Sequence, residues 1–283
     1  MKRLYISDLD GTLLDGNARL SARSREFLNE AINAGILFTV ATARTPATVA
    51  PLMYGVKMTM PAIVLTGAAW WHFDRQRYSH VRFVRAENVS WILSVFEDSP
   101  VTPFVYVLDK DGSPQLMKVY YGRPDPTEVD RKFISARNSL ELKYFVLGER
   151  PKEDEFERAV LFFASGSKED LQNISDKIRA SSTVSVSLYE DIYNPGTALI
   201  EVFAPNVSKA GAITEMKEIY GIEELVVFGD NLNDLPMFDI SQRSVAVSNA
   251  LPAVRDVADL VIGKNTEDSV AKFILSQALG GRN

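Results

Sequence analysis

Apolar positions near the start of the chain fall in unbroken runs, "LYIS", "ILFTV" and "AIVL". Unbroken runs, as opposed to strict alternation, predict strands covered on both faces. Between the first two runs, residues 21–35 ("SARSREFLNEAINAG") have helical spacing, with Phe27/Ala31 and Leu28/Ile32 four apart on one stripe. Ser21 is placed to cap that helix and Gly35 to stop it. Residues 45–55 form a second, shorter helical stretch, with Thr45 ahead of Pro46. Strand and helix in alternation predict parallel βαβ units with helices on both faces of the sheet.

The pattern changes near Val81. "TPFVYVLD", "QLMKVYYG", "LKYFVLGE" and "RAVLFFAS" read as strands, while "ENVSWILSVFED", "PTEVDRKFISARN" and "KEDLQNISDKIRAS" read as helices. Strands on either side of "DKDGS" predict an antiparallel hairpin, and the mixture is α+β. Alternation of buried strand and helix resumes near "TALIEVFAP". Residues 208–221 then read as a helix capped by Ser208 and ended by Gly221. "ELVVFGD", "SVAVSN" and "DLVIG" follow as strands, and a closing helix carries acids in its first turn. The fold class is therefore α/β, a Rossmann-like parallel-sheet core interrupted by an inserted α+β domain. The expected boundaries are 1–81 and 194–283 for the core and 82–193 for the insert. Asn194-Pro195-Gly196 is a turn signal and reads as the link back into the core. Trp70, Trp71, His72 and Phe73 read as packing or a hinge.

Composition narrows the chemistry. The 283 residues carry a formal net charge of -6, which argues against a general nucleic-acid binder but leaves room for a local basic pocket. There is no cysteine and there are only two histidines, so a bound metal would be held by oxygen, as Mg²⁺ is. No stretch approaches the roughly 20 apolar residues of a spanning helix, and the N-terminus does not read as a signal peptide. The default expectation is a cytoplasmic monomer with a small-molecule partner and neither nucleic acid nor membrane.

The candidate chemistry sits where strands end. "DLDGT" places Asp8 and Asp10 two residues apart at the end of the first strand, where alternation predicts that they share a side. Ligands of open α/β sheets bind outside that edge. Two carboxylates this close raise one pKa unless a cation neutralises them. An Asp-Gly pair alone is an ordinary surface turn, but Asp-x-Asp-Gly-Thr arises by chance in roughly one chain of this length in several hundred. Gly11 and Thr12 turn the chain and offer N–H groups and a hydroxyl. "FGDNLND" repeats the idea with Asp230, Asn233 and Asp234; alone it is equally a helix-start cluster. Thr42 ends the second strand, where its hydroxyl could meet a phosphate oxygen. Lys209 opens a helix, a position the macrodipole disfavours for a cation, and so suggests an anion nearby.

With "DLDGT", "ATAR", "SKAGA" and "GDNLND" in this order, the chain resembles the haloacid dehalogenase superfamily of phosphatases. The large insert after the third strand makes it similar to the Cof-type hydrolases, which carry a big α+β cap. The resemblance implies that Asp8 is the nucleophile and Asp10 the general acid and then base. It implies that Thr42 and Lys209 hold the phosphoryl oxygens. Asp230 would ligate Mg²⁺ with Asp8 and the backbone carbonyl of Asp10, while Asn233 and Asp234 complete the surroundings of phosphate and metal. Gly11, Thr12 and Ala43 would line the substrate, and Arg44, just after Thr42, reads either as reaching the substrate under the cap or as a surface arginine. The chain departs from the pattern at Ala43 ("ATAR" for "ATGR"), at Ala210 ("SKAG" for "SKG") and at Thr66, where asparagine is usual. The two alanines cost little wherever φ is negative.

The expected function is thus a Mg²⁺-dependent phosphatase of small phosphorylated metabolites, with sugar phosphates as the leading class, acting through an aspartyl-phosphate. The alternatives are a phosphotransferase or mutase using the same intermediate, and a non-catalytic ligand-binding relative of the fold.

Overall fold

The first strand, Arg3–Ser7, lies inside the sheet with partners on both sides. In the computed structural model, which describes residues 2–180, 183–190 and 196–280, it pairs in parallel with Leu37–Val40 and with Glu224–Gly229. Arg243–Val247 and Leu260–Ile262 extend the sheet in parallel beyond Glu224–Gly229. Leu4, Tyr5 and Ile6 are buried, as an unbroken apolar run between two helical layers requires. Past the edge strand, Ala41 bridges in parallel to Ile63, and Ala62–Val64 then pairs antiparallel with Ala69–His72.

The predicted helices form where their caps put them. Ser21 accepts from the Ser24 N–H at the start of Ala22–Asn33, and Ser208 accepts from the Gly211 N–H at the start of Lys209–Tyr220. Gly221 ends that second helix in the left-handed region. The closing helix is Ser269–Gly280; Glu267 and Asp268 lie before it, not in its first turn. Among the described residues no helix is long and apolar enough to cross a membrane.

The chain divides into residues 1–74 with 208–283 and residues 75–207. The expected junctions at 81/82 and 193/194 therefore differ from those observed, the second by a stretch that includes a whole strand. Thr197–Phe203 pairs antiparallel with Ala159–Ser167 and with Ser185–Glu190, so it belongs to the inserted sheet and not to the core. Its apolar run has the composition of a core strand, because it too is buried. Asn194 and Pro195, read as the link back into the core, lie outside the described residues.

The inserted sheet has six strands, ordered Ser185–Glu190, Thr197–Phe203, Ala159–Ser167, Phe104–Leu108, Met117–Tyr121, Lys143–Leu147. The hairpin around "DKDGS" is present, and the last pair is parallel. One face, with Val105, Val107, Phe162 and Ile200, packs against helices Ala86–Glu97 and Lys168–Arg179. The other face carries an aromatic cluster around Phe104, whose ring lies 4.8 Å from both Tyr121 and Phe133.

A tight turn, Leu65–Gly67, follows the Ala62–Val64 strand. Leu65 and Thr66 hold positive φ of 52° and 58°, and Gly67 of 100°. A Cβ on Gly67 would stand 2.2 Å from the Ser208 carbonyl oxygen, so this glycine lets the turn approach the start of the Lys209–Tyr220 helix. Gly67→Ala should therefore destabilise the protein by about 1–3 kcal/mol in urea titrations followed by circular dichroism.

Candidate active site

Strand Arg3–Ser7 stops one residue before Asp8, whose N–H is the last to bond across the sheet, 3.0 Å from the Phe228 carbonyl. The chain then turns. Asp10 is extended, Gly11 has φ 78°, and Leu14 N–H closes the turn on Leu9 O. Asp8 and Asp10 are therefore not alternate residues of one strand, and their carboxylates go to different partners. Asp8 is buried; Asp10 is exposed.

Asp8 meets Lys209. The Lys209 ammonium donates to Asp8 Oδ1 at 2.5 Å and to Asp234 Oδ1 at 2.9 Å. Lysine and both acids are buried. This pairing explains a cation at the first position of a helix: the nearby carboxylates outweigh the unfavourable dipole. The other oxygen of Asp234 accepts the N–H groups of Asp230 and Asn231, at 3.1 and 3.3 Å. Asn231 in turn caps the following short turn, with Asp234 answering as in a capping box. Both oxygens of Asp234 are thus engaged, and its role is to fix the loop and the lysine.

Asp230 comes from the end of Glu224–Gly229 and accepts the Thr12 hydroxyl at 2.9 Å. Gly11 passes so close that a Cβ there would sit 2.4 Å from Asp230 Oδ2. A glycine is needed at that position on two counts, contact and φ. Asn249, which no sequence signal marks, donates to the Gly11 carbonyl at 2.8 Å and steadies the turn from the far end of the core. Asn231 joins the site as a residue that the motif reading misses, although Asn231-x-x-Asp234 is itself a capping pattern.

Asp10 is held by a fork. Arg44 Nε donates to Asp10 Oδ2 at 2.7 Å and Nη2 to Oδ1 at 2.5 Å. Arg44, expected either at the substrate or on the surface, grips the second aspartate in the bidentate geometry that arginine provides. Thr42 is buried, and its hydroxyl accepts the Arg44 N–H at 3.2 Å. Thr66 N–H bonds to the Thr42 carbonyl, which brings the third-strand turn beside the second. The Thr66 hydroxyl is buried without a hydrogen-bond partner. Ala43 and Asn233 are exposed. Neither Ala43 nor Ala210 has positive φ, so the glycines usual at these positions are not needed for conformation.

Oxygens of Asp8, Asp230 and Asp234 lie within 4.8 Å of one another. The Asp10 carboxylate is not part of this group. Burial, with Asp234 and Asp230 nearby, pushes Asp8 up to about 7 despite Lys209. Burial likewise pushes Asp230 up to about 6. Lys209 is held charged, because its two carboxylates outweigh the cost of burying it. One ammonium among three carboxylates leaves negative charge uncompensated. The free oxygens of Asp8 and Asp230 are hard donors, and this donor set fits a divalent cation of the Mg²⁺ kind. The arrangement can present a carboxylate nucleophile, a second carboxylate and a fixed cation to an anionic group.

Comparison with known proteins identifies the family. Residues 5–274 match the family model of haloacid dehalogenase-like hydrolases. A Bacillus subtilis protein, 5-amino-6-(5-phospho-D-ribitylamino)uracil phosphatase YwtE, is 26% identical over 290 residues, covering 97% of each chain. Pyridoxal phosphate phosphatase YbhA of Escherichia coli is 25% identical over 284 residues, covering 98% of this chain and 99% of its own. In fold, the chain is similar to a haloacid dehalogenase-like hydrolase from Bacteroides thetaiotaomicron, with TM-score 0.78 at 20% identity, covering 98% of this chain and all of that one. It is also similar to the subclass IIB sugar phosphatase BT4131, with TM-score 0.72 at 21% identity, covering 99% of each. The chain therefore belongs to the haloacid dehalogenase-like hydrolases, as a phosphoric monoester hydrolase with an inserted cap.

Proposed function

We propose that this phosphatase hydrolyses small phosphorylated metabolites, with sugar phosphates as the leading class, using Mg²⁺ and an aspartyl-phosphate on Asp8. The observation that carries the reading is the buried Asp8 carboxylate pinned by Lys209, with Asp10 two residues on and separately held by Arg44. A non-catalytic binder has no need of that division. The names of relatives that act on a phosphoribitylamino-uracil and on pyridoxal phosphate widen the substrate panel beyond sugars.

In this reading Asp8 attacks phosphorus and the ester oxygen leaves. Asp10 gives that oxygen a proton, then takes one from the water that releases phosphate. Lys209 and the Thr42 hydroxyl face the phosphoryl oxygens. Gly11 and Thr12 shape the turn, and Ala43 and Asn233 lie at the rim. Mg²⁺, held by Asp8, Asp230 and the Asp10 carbonyl, would screen the nucleophile from the phosphate and draw charge from it. Asp234 acts on the metal's surroundings only indirectly, since both its oxygens are occupied.

Two outcomes test this. Asp8→Asn should abolish release of phosphate from a panel of sugar, pyridoxal and nucleotide-like monoesters, by about 1,000-fold or more, with folding intact by circular dichroism. Asp10→Asn should cost far more on alkyl phosphates than on p-nitrophenyl phosphate, whose leaving group needs no proton. Equal losses on both would remove Asp10 from the acid's role.

The raised carboxylates also set a pH dependence. Asp8 and Asp230 bind protons more tightly folded than unfolded, so these two groups cost the metal-free protein stability as pH rises from about 4 to about 7. Lys209 titrates far above this window and does not reverse the sign. Thermal melts in a chelator should show that decline, Asp8→Asn should flatten it, and added Mg²⁺ should stabilise more at the upper end than at the lower.

A further inference from the structure

Asn249 and Asn265 belong to no motif, yet both lie at the sheet edge that carries Asp8 and Asp230. Asn249 comes just after the Arg243–Val247 strand and Asn265 just after Leu260–Ile262, and these strands run parallel to those that end at the two acids. The Asn249 side chain donates from Nδ2 to the Gly11 carbonyl at 2.8 Å, and its Oδ1 accepts the Asn265 N–H at 2.8 Å. With Oδ1 taken by an N–H, the donating nitrogen is the atom that faces Gly11, so the two bonds together fix the amide's orientation. The Asn265 side chain donates in turn to the Leu14 carbonyl at 2.8 Å. The turn after the first strand is therefore held at two points, Gly11 and Leu14. Close beyond Asn249, the Leu251 N–H donates to the Asp230 carbonyl at 2.9 Å. One short segment thus grips both loops that bring acids to the site.

The turn needs such a hold. Asp10 and Gly11 are not helical, and Gly11, at φ 78°, has the conformational freedom of a residue without a Cβ. Where the turn sits matters to Asp230. A Cβ on Gly11 would lie 2.4 Å from Asp230 Oδ2, and the Thr12 hydroxyl bonds Asp230 Oδ1 at 2.9 Å, so that carboxylate feels any shift of the turn directly. Asn249 is exposed, and an exposed hydrogen bond adds little to the stability of the whole chain. Its effect is local. It fixes the Gly11–Thr12 peptide, the neighbour of the peptide that carries the Asp10 carbonyl. Partners behind a metal's ligands act in this way, by orienting groups that they do not replace.

We propose that Asn249, with Asn265 behind it, is a positioning residue that holds the Asp10–Thr12 turn against Asp230 and thereby sets the affinity for Mg²⁺. The inference rests on the phosphatase reading above, in which the Asp10 carbonyl and Asp230 both hold the metal. The full chain carrying Asn249→Ala, titrated calorimetrically with Mg²⁺ and no substrate, should bind the ion about tenfold more weakly than wild type. Its release of phosphate from p-nitrophenyl phosphate should be lost at low Mg²⁺ and largely recovered at saturating Mg²⁺. Amide hydrogen exchange at Leu14, whose N–H closes the turn on Leu9, should quicken in the metal-free variant. Asn265→Ala should act in the same direction and less strongly, because its backbone bond to Asn249 survives. Asn29→Ala is the control for a merely structural role. Asn29 also donates to a carbonyl, that of Gly55, and accepts an N–H, that of Lys57, both at 2.8 Å, and its loss should leave Mg²⁺ affinity unchanged. Unchanged affinity in Asn249→Ala, or an equal loss in Asn29→Ala, overturns the inference, while turnover by the wild type keeps the phosphatase reading. A wild type that neither binds Mg²⁺ nor hydrolyses any ester, with faster Leu14 exchange in Asn249→Ala, overturns that reading and leaves the hold on the turn standing.

Discussion

A single buried ammonium organises the core. Lys209 bonds Asp8 from the first strand and Asp234 from the loop after Glu224–Gly229. Removing the lysine would leave two buried carboxylates without their shared cation, a situation proteins tolerate poorly. Much of the local backbone serves this contact. Ser208 caps the helix that carries the lysine, Gly67 lets a turn approach that helix start, and Asp234 ties its second oxygen to the loop that bears Asp230. The surplus of negative charge that remains is not a defect of packing. It is the electrostatic condition that would let a divalent cation join these carboxylates, as the proposed reaction requires.

The two aspartates of the first turn illustrate how environment assigns roles to identical side chains. Asp8 is dry, with its pKa raised by burial; Asp10 is exposed and forked by Arg44. Two carboxylates in unlike surroundings can perform unlike steps, one attacking and one moving protons, in the proposed reaction.

The core was legible because its signals are local. Ser21, Ser208, Gly35 and Gly221 mark helix ends by their own chemistry, and unbroken apolar runs mark buried parallel strands. The motif acids could be located at strand ends for the same reason. What sequence did not yield was set by distant partners. Thr197–Phe203 has a core strand's composition, and only its pairing with Ala159–Ser167 assigns it to the insert. Ser185–Glu190, half serine and polar residues, is a strand because it extends that sheet's edge. The alternation argument for Asp8 and Asp10 failed because the strand ends at Ser7 and Gly11 takes a positive φ, which nothing in the apolar pattern reports. Arg44 as a clamp likewise depends on Asp10, which lies on another strand's turn.

The register of the parallel sheet has a consequence for how the molecule comes into being. The Arg3–Ser7 strand can join Leu37–Val40 soon after synthesis, but its other neighbour is Glu224–Gly229. During translation the nascent N-terminal strand must wait, one apolar edge unpaired, while more than two hundred residues emerge. The inserted unit, with all six of its strands between Phe104 and Phe203, is complete before that partner arrives. A ribosome stalled before residue 224 would display a finished insert and an open half-sheet, so the hazard of aggregation lasts until that strand has emerged.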